Sequence, residues 1–149
     1  MTRRLRLEEL PSLVGQELGV SDWFEISQAR IDAFAEATED RQWIHVDVER
    51  ATREIGGPIA HGFLTLAMLS AMTYQVAGFE GVGRGVNYGF DKVRFLAPVP
   101  AGARVRSRET LLAVEPKAGG LALSRHVTVE IEGHDKPALV AEWIGVLYA

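Results

Sequence analysis

Residues 62–77 constrain the fold of this chain more than any other segment. In a helix, their apolar side chains would cover every side: Phe63, Leu64, Leu66, Ala67, Met68, Leu69, Ala71, Met72, Tyr74 and Val76. A helix that is apolar all round is stable only when other structure surrounds it. The run is too short for a membrane span and contains Thr65 and Ser70. It therefore predicts a buried central helix, with Gly78 as the residue that ends it.

Helical periodicity disappears after this segment, and strand-like runs replace it. Four runs rich in β-branched and aromatic residues cover positions 83–95, 103–114, 121–131 and 137–147, with turn-like segments between them. The third run alternates apolar and polar residues, which is the period of a half-buried strand. Together with an irregular strand over residues 17–26, they predict an α+β fold. In it, an antiparallel meander of four strands, completed by the earlier strand, curls around the helix.

The upstream part of the chain carries several helix signals. Ser27 is a predicted N-cap for a helix that ends near Thr38 or Glu39. Asp47 is the predicted N-cap of a short helix over residues 48–55, which Gly56-Gly57-Pro58 would stop. The leucines between residues 5 and 14 predict one short amphipathic turn of helix near the N-terminus. The segment at residues 39–47 then lies in the loop between two predicted helices.

Composition limits the functions that this chain can have. Its 149 residues fit a single domain over residues 1–149 that can bury a sizeable core. The formal net charge of −4 gives no basic footprint, so no nucleic-acid partner is predicted. The chain has no cysteine, which excludes disulfides and thiolate chemistry. With no secretory or membrane segment visible, we expect a cytoplasmic protein that works without a membrane.

Asp40 and His45 form a possible acid–base pair in the polar loop at residues 39–47. An ionised carboxylate and an imidazole of near-neutral pKa can together hold and deprotonate a water molecule. Neither helical nor strand spacing forces two residues five positions apart to meet, so a simple hydrogen-bonded loop is the other interpretation. The residues alone leave both interpretations open.

His61 and Gly62 begin the predicted central helix. Backbone N–H groups in a first helical turn lack intrahelical partners, and Gly62 has no side chain to keep a ligand away. An oxyanion could bind there, or Gly62 could simply permit close packing of the helix against the sheet. We interpret His61 itself as a structural or capping residue. The four histidines show no close-spaced cluster along the sequence, so no metal site is predicted.

These residues also resemble a known family. Asp40-Arg41-Gln42-Trp43-Ile44-His45, followed by Ala60-His61-Gly62-Phe63, resembles the signature of the MaoC-like, (R)-specific enoyl-CoA hydratases. The Gln-Trp-Ile-His form, with Asn87-Tyr88-Gly89 and Asp91-Lys92-Val93-Arg94-Phe95 further on, is similar to the NodN-like branch. The chain departs from the usual family motif at Glu39, Gln42 and Trp43, where Gly, Asn and Pro are the usual residues.

The resemblance implies a hot-dog fold, in which an antiparallel sheet wraps a long central helix, and a homodimer. It implies that Asp40 and His45 activate water for reversible hydration of a trans-2-enoyl-CoA to an (R)-3-hydroxyacyl-CoA. The Gly62 N–H would polarise the thioester carbonyl, and Gln42 would support the site. Coenzyme A belongs to the substrate, and no separate cofactor is implied. Further substrate-binding candidates are His61, Asn87, Lys92 and Arg94.

Two other functions remain compatible with this set of residues. A hot-dog acyl-CoA thioesterase would direct water at the thioester carbonyl instead of at C3, and a fold does not distinguish the two reactions. A non-catalytic acyl-thioester-binding protein could also retain the fold. The departures at Glu39, Gln42 and Trp43 keep this last alternative open, whereas the retained Asp40, His45 and Gly62 favour hydration.

Overall fold

An antiparallel sheet curls around a central helix in the computed structural model, which describes residues 2–149. Strands β1 to β8 span Arg3–Arg6, Glu17–Val20, Phe24–Glu25, Ala77–Glu80, Arg84–Phe95, Arg104–Lys117, Gly120–Ile131 and Leu139–Tyr148. Helices α1 to α5 span Gln28–Thr38, Trp43–Val46, Val48–Ile55, Gly62–Ala67 and Leu69–Val76. A 3₁₀ helix covers Leu7–Leu13, where the sequence predicted a short amphipathic turn.

The main sheet has the strand order β2-β6-β7-β8-β5, and β3 pairs with β6 as well. The strand predicted before α1 therefore completes the sheet. The expected four-strand meander is wrong in one respect, because β5 pairs with β8 and not with β6. The connection over residues 96–103 explains this order. Its Leu96 N–H bonds to the carbonyl of Ala138 and its Gly102 N–H to the carbonyl of Ile26, so it crosses from one side of the sheet to the other.

The central helix consists of α4 and α5, joined at Met68. Met68 keeps right-handed helical angles (φ −64°, ψ −16°), and its carbonyl accepts from Met72 N–H at 3.0 Å, so the helix direction continues through the join. One side of the helix packs on the sheet through its fully or nearly buried residues: Leu64, Leu69, Met72 and Val76. The burial of this apolar side against the strands is the main contribution to the core.

The expectation that the central helix is covered on all sides is wrong for a single chain. Phe63 is 70% exposed and Tyr74 is 75% exposed. These residues are eleven positions apart, which is close to three helical turns, so they lie on one stripe of the helix surface. Residues 2–149 leave most of this stripe exposed, although the ring of Phe95 packs edge-on against Phe63 with centroids 6.2 Å apart.

The ends of the helices follow their capping residues in most cases. The Ser27 side chain accepts from the N–H of Arg30 at 3.1 Å, and that of Asp47 accepts from the N–H of Arg50 at 3.0 Å, as predicted. Gly56 ends α3 in the left-handed conformation (φ 84°). The central helix ends at Val76 with Ala77 as its C-cap, so Gly78 stands in the predicted C′ position, but it does not adopt the left-handed conformation. The chain becomes extended at Ala77 (φ −151°) because residues 77–80 form β4, which pairs in parallel with β1.

Candidate active site

The loop between α1 and α2 carries the first part of the site. Glu39 ends α1 in the left-handed conformation (φ 62°), which turns the chain sharply before Asp40. The Asp40 carboxylate accepts a long hydrogen bond from the N–H of Gln42, at 3.4 Å. Helix α2 is a single turn, and it places His45 close to this carboxylate. A tight turn therefore brings together two residues whose spacing alone did not require it.

His45 is buried, with 6% of its surface exposed, and its ring orientation is fixed. Nδ1 lies 2.6 Å from the carbonyl oxygen of Ile59. A carbonyl can only accept, so Nδ1 carries the hydrogen and Nε2 of the neutral ring keeps its lone pair. The backbone of His45 is held as well, because Gln28 Nε2 donates to its carbonyl at 2.8 Å. His45 therefore presents Nε2 as a proton acceptor.

His61 lies directly against Asp40 and His45 and is 2% exposed. Its Nε2 donates to the backbone carbonyl of Asp40 at 2.9 Å, and its ring stacks on that of His45 with centroids 3.8 Å apart. The ring of Phe34 closes its other side at 4.8 Å. With the hydrogen on Nε2, the buried Nδ1 is an acceptor without a partner among residues 2–149. His61 thus contacts both Asp40 and His45.

Asp40, His45 and His61 form one compact cluster, in which the two segments that carry the family signature meet. One nitrogen or oxygen of each lies within 4.8 Å of the others, which is compact enough to raise the question of a metal ion. The two imidazole planes are only 22° apart and stacked, so their nitrogens point side by side and not towards one point. We interpret the cluster as an acid–base group. The contacts of His61 with the other two residues could not be read from spacing, because sixteen positions separate His45 from His61.

Gly62 is the first residue of the central helix and borders a cavity of about 390 Å³. His45, Thr65, Phe95 and Pro98 also line this cavity. A Cβ atom built on Gly62 would lie 3.0 Å from the ring of Phe95, so any side chain here would have to displace that ring. The N–H of Gly62 has no intrahelical partner because of its position. It is therefore free to donate to a group bound in the cavity.

The remaining candidates lie further from this cluster. Gln42 is exposed, and its side chain makes no hydrogen bond to the described part of the chain. Lys92 is exposed on β5 in an ion pair with Glu142 at 3.3 Å. Arg94 is exposed and donates to the carbonyl of Val93. Asn87 lies near the other end of β5, where its side chain bonds Trp143. The structure thus brings together Asp40, His45, His61 and Gly62. The other four candidates lie outside this group.

Comparison with known proteins identifies the family. A model of the MaoC-like domain matches residues 9–130. Nodulation protein N from Rhizobium meliloti is 49% identical over 146 residues, which cover 95% of this chain and 91% of that protein. The 3-hydroxyacyl-thioester dehydratase Z of Mycobacterium tuberculosis is 48% identical over 138 residues, covering 91% of each chain. This chain therefore belongs to the MaoC-like dehydratase family, as the resemblance predicted.

Solved structures agree on the fold. The monoamine oxidase regulatory protein from Archaeoglobus fulgidus has a TM-score of 0.76 and 23% identity, over 99% of this chain and 97% of that one. An (R)-hydratase from A. caviae involved in PHA biosynthesis has a TM-score of 0.73 and 23% identity, over 91% and 96%. The predicted hot-dog fold is confirmed. With the family and its dehydratase relative, the predicted enzyme class, a hydratase or dehydratase, is confirmed too.

Proposed function

We propose that this protein reversibly hydrates a trans-2-enoyl thioester of coenzyme A to the (R)-3-hydroxyacyl thioester. The observation that supports this most directly is the arrangement of three groups beside one cavity. The Asp40 carboxylate lies within 4.8 Å of a ring nitrogen of His45. His45, with its free Nε2, lines the same cavity as Gly62, with its unpaired N–H. The first two can hold a water molecule, and the third can hold a carbonyl oxygen.

In the hydration direction, Asp40 and His45 bind water and take one of its protons. The water oxygen bonds to C3, and the π electrons of the C2–C3 bond move through C1 onto the thioester oxygen. The N–H of Gly62 stabilises that developing negative charge at the start of the central helix. The enolate then collapses, and the dyad delivers a proton to C2. Each proton removed from water is matched by one given to carbon, so the dyad is restored.

His61 acts on this reaction through its two neighbours. It holds both members of the dyad in place, through its hydrogen bond to the Asp40 carbonyl and its stacking on the His45 ring. At 2% exposure its ring has almost no surface for a substrate. We assign it as a positioning residue. The exposed Lys92 and Arg94 remain candidates for the phosphates of coenzyme A, and Gln42 for support at the cavity entrance.

A single assay with crotonyl-CoA tests the reaction. Hydration removes the absorbance of the conjugated enoyl group without releasing thiol, whereas a thioesterase would release thiol and a binding protein would do neither. We expect Asp40→Asn and His45→Gln each to lower kcat by at least about 10²-fold while remaining folded. Glu39→Asn, a neighbour in a conformation that Asn tolerates, is the matched control and should keep its activity. Near-normal turnover by either dyad variant would contradict the assignment.

The proposed active form is a homodimer. Strand β5 pairs with β8 on one side, and no strand among residues 2–149 pairs with its other edge. Val86 and Tyr88 on β5 are about half exposed, and the exposed stripe with Phe63 and Tyr74 lies on the central helix. A second copy would cover an open edge and apolar groups that a monomer leaves in water. Light scattering after size exclusion should give twice the mass of the 16.4 kDa chain. Val86→Asp should lower the measured mass towards that of a single chain.

We propose that this reaction takes place in the cytoplasm, the location expected from the sequence. No helix in the described part of the chain is long and apolar enough to cross a membrane. Cell fractionation with an antibody against the natural protein would test the location directly.

A further inference from the structure

A second cavity, of about 300 Å³, lies at the other end of the central helix from Gly62. It is lined by polar groups of Ser70, Thr73, Asn87 and Arg125 together with apolar side chains such as Leu123 and Val146. None of the dyad residues borders it. Eleven helical residues separate Gly62 from Thr73, which corresponds to about 16 Å at 1.5 Å per residue. The cavity is therefore separate from the site at which the reaction takes place.

Arg125 is a buried guanidinium on the wall of this cavity, with 7% of its surface exposed. Its Nη1 donates to the Thr73 hydroxyl at 2.8 Å and to the fully buried Glu109 carboxylate at 3.4 Å. The Thr73 and Ser107 hydroxyls also donate to Glu109, at 3.0 and 3.2 Å. Among residues 2–149 the guanidinium Nε is buried without a hydrogen-bond partner, and Nη2, which makes no hydrogen bond either, is not fully enclosed. A buried guanidinium that borders a cavity and has donors left over is the kind of group that a ligand satisfies.

Asn87 supplies a second donor whose direction is fixed. The indole Nε1 of Trp143 donates to Asn87 Oδ1 at 2.9 Å. An indole nitrogen can only donate, so the amide cannot be reversed and its NH₂ group points away from Trp143. Trp143 is itself held between Phe90, stacked at 5.9 Å, and the Arg125 guanidinium, 4.0 Å above its ring. Asn87 is thereby connected to the buried pair although it is itself exposed, and its NH₂ has no acceptor among residues 2–149.

The charge of the site selects among possible ligands. Arg125 and Glu109 neutralise each other, so a carboxylate or phosphate in the cavity would leave one buried negative charge without a counterion. A purely alkyl group would displace water from the free donors of Arg125 and Asn87 without replacing its hydrogen bonds. An uncharged oxygen, such as that of a hydroxyl or ketone, satisfies these donors and adds no charge. The apolar walls then contact the carbon chain that carries it.

We propose that this cavity binds an uncharged, oxygen-bearing end of the acyl chain, so that the enzyme prefers enoyl thioesters with a distal hydroxyl or keto group. This inference rests on the proposed function and names the substrate class of that same reaction. Asn87 and Arg125 are the residues that distinguish such a chain from its alkyl counterpart.

The test compares matched substrates. Unbranched trans-2-enoyl-CoA thioesters of increasing length are prepared in three forms, with a methyl, hydroxymethyl or carboxyl end. For at least one length, we expect kcat/KM to be about tenfold higher for the hydroxyl form than for either other form. Asn87→Asp, which still accepts from Trp143 but loses the NH₂ donor, should reduce this ratio to about one. Asp91→Asn, an exposed position on the same strand and outside the cavity, should retain the wild-type ratio.

Two results would overturn the inference. One is a wild-type enzyme with no preference for the hydroxyl form at any length, a measurement that needs no variant. The other is an Asn87→Asp enzyme that loses activity equally on all three forms. If crotonyl-CoA and every longer enoyl-CoA remain unreacted, the proposed function fails instead. In that case the cavity is tested alone, by whether ω-hydroxy fatty acids raise the Tm of the wild type more than that of Asn87→Asp.

Discussion

Removing one member of the buried Arg125–Glu109 pair should destabilise the fold far more than removing both. Glu109 has no exposed surface, and Arg125 is its only cationic partner in the described chain. Burial raises the pKa of the Glu109 carboxyl and Arg125 opposes that shift, so the guanidinium is what permits the ionised form. Arg125→Met would leave the carboxylate with only the Thr73 and Ser107 hydroxyls as donors.

The loss of unfolding free energy in each single variant follows from the burial of this pair. Breaking a buried pair by removing one partner costs about 3–5 kcal/mol, because a buried charge is left uncompensated. In a chain of this size each kcal/mol lowers Tm by about 2–4 °C, so Arg125→Met should lower it by roughly 6–20 °C. Glu109→Leu leaves the guanidinium unpaired and should cost a similar amount. The double variant removes both charges, so it should be more stable than either single variant.

Thermal and urea unfolding of the four proteins measures these differences, with the oligomeric state checked at each step because dissociation also changes Tm. The reasoning is refuted if both single variants lose less than about 1 kcal/mol, or if the two losses add in the double variant. Either result would show that the interior at this point is wet enough to solvate each charge separately.

Three further predictions concern pH and the catalytic cluster. Because burial raises the pKa of Glu109 in the folded state, its contribution to stability is complete below the unfolded pKa and is lost as pH rises through the folded pKa. The unfolding free energy of the wild type minus that of Glu109→Gln should therefore fall with rising pH, and a flat difference would contradict this. His61→Leu should lower kcat by about tenfold or more with little change in KM, because Asp40 and His45 lose their support. His61→Gln, which can still donate to the Asp40 carbonyl, should retain more activity, and equal losses in both would assign the effect to ring stacking. Gly62→Ala should lower kcat/KM by about 10²-fold, since its Cβ would crowd Phe95 and the approach to the N–H; activity near the wild-type level would remove Gly62 from the mechanism.

The predictions that the sequence supported were mostly those set by local physics. Ser27 and Asp47 cap their helices because a side-chain oxygen three residues before an unpaired N–H can reach it without any tertiary contact. Apolar and polar residues alternate along β7 because one face of this strand packs on the core. The family signature at Asp40, His45 and Gly62 carried the rest of the functional assignment.

What failed at the sequence level depended on distant parts of the chain. Gly78 is a good helix terminator, but β1 provides a partner strand, and pairing with it draws residues 77–80 into an extended conformation. Likewise β6 follows β5 along the chain, yet β5 pairs with β8 because the connection over residues 96–103 crosses the sheet. Neither the extended conformation of residues 77–80 nor the pairing of β5 with β8 is set by the residues next to them in the sequence.

The sequence by itself determined the central helix, the strands and the identities of Asp40, His45 and Gly62 as candidates. Only the tertiary structure brought His61 under both dyad members and buried Arg125 against Glu109 beside Asn87. The physical reason is that sequence patterns report the environment of each residue over a few neighbours. Contacts across sixteen or more positions arise from how packed elements meet, and the second cavity is one result of that packing.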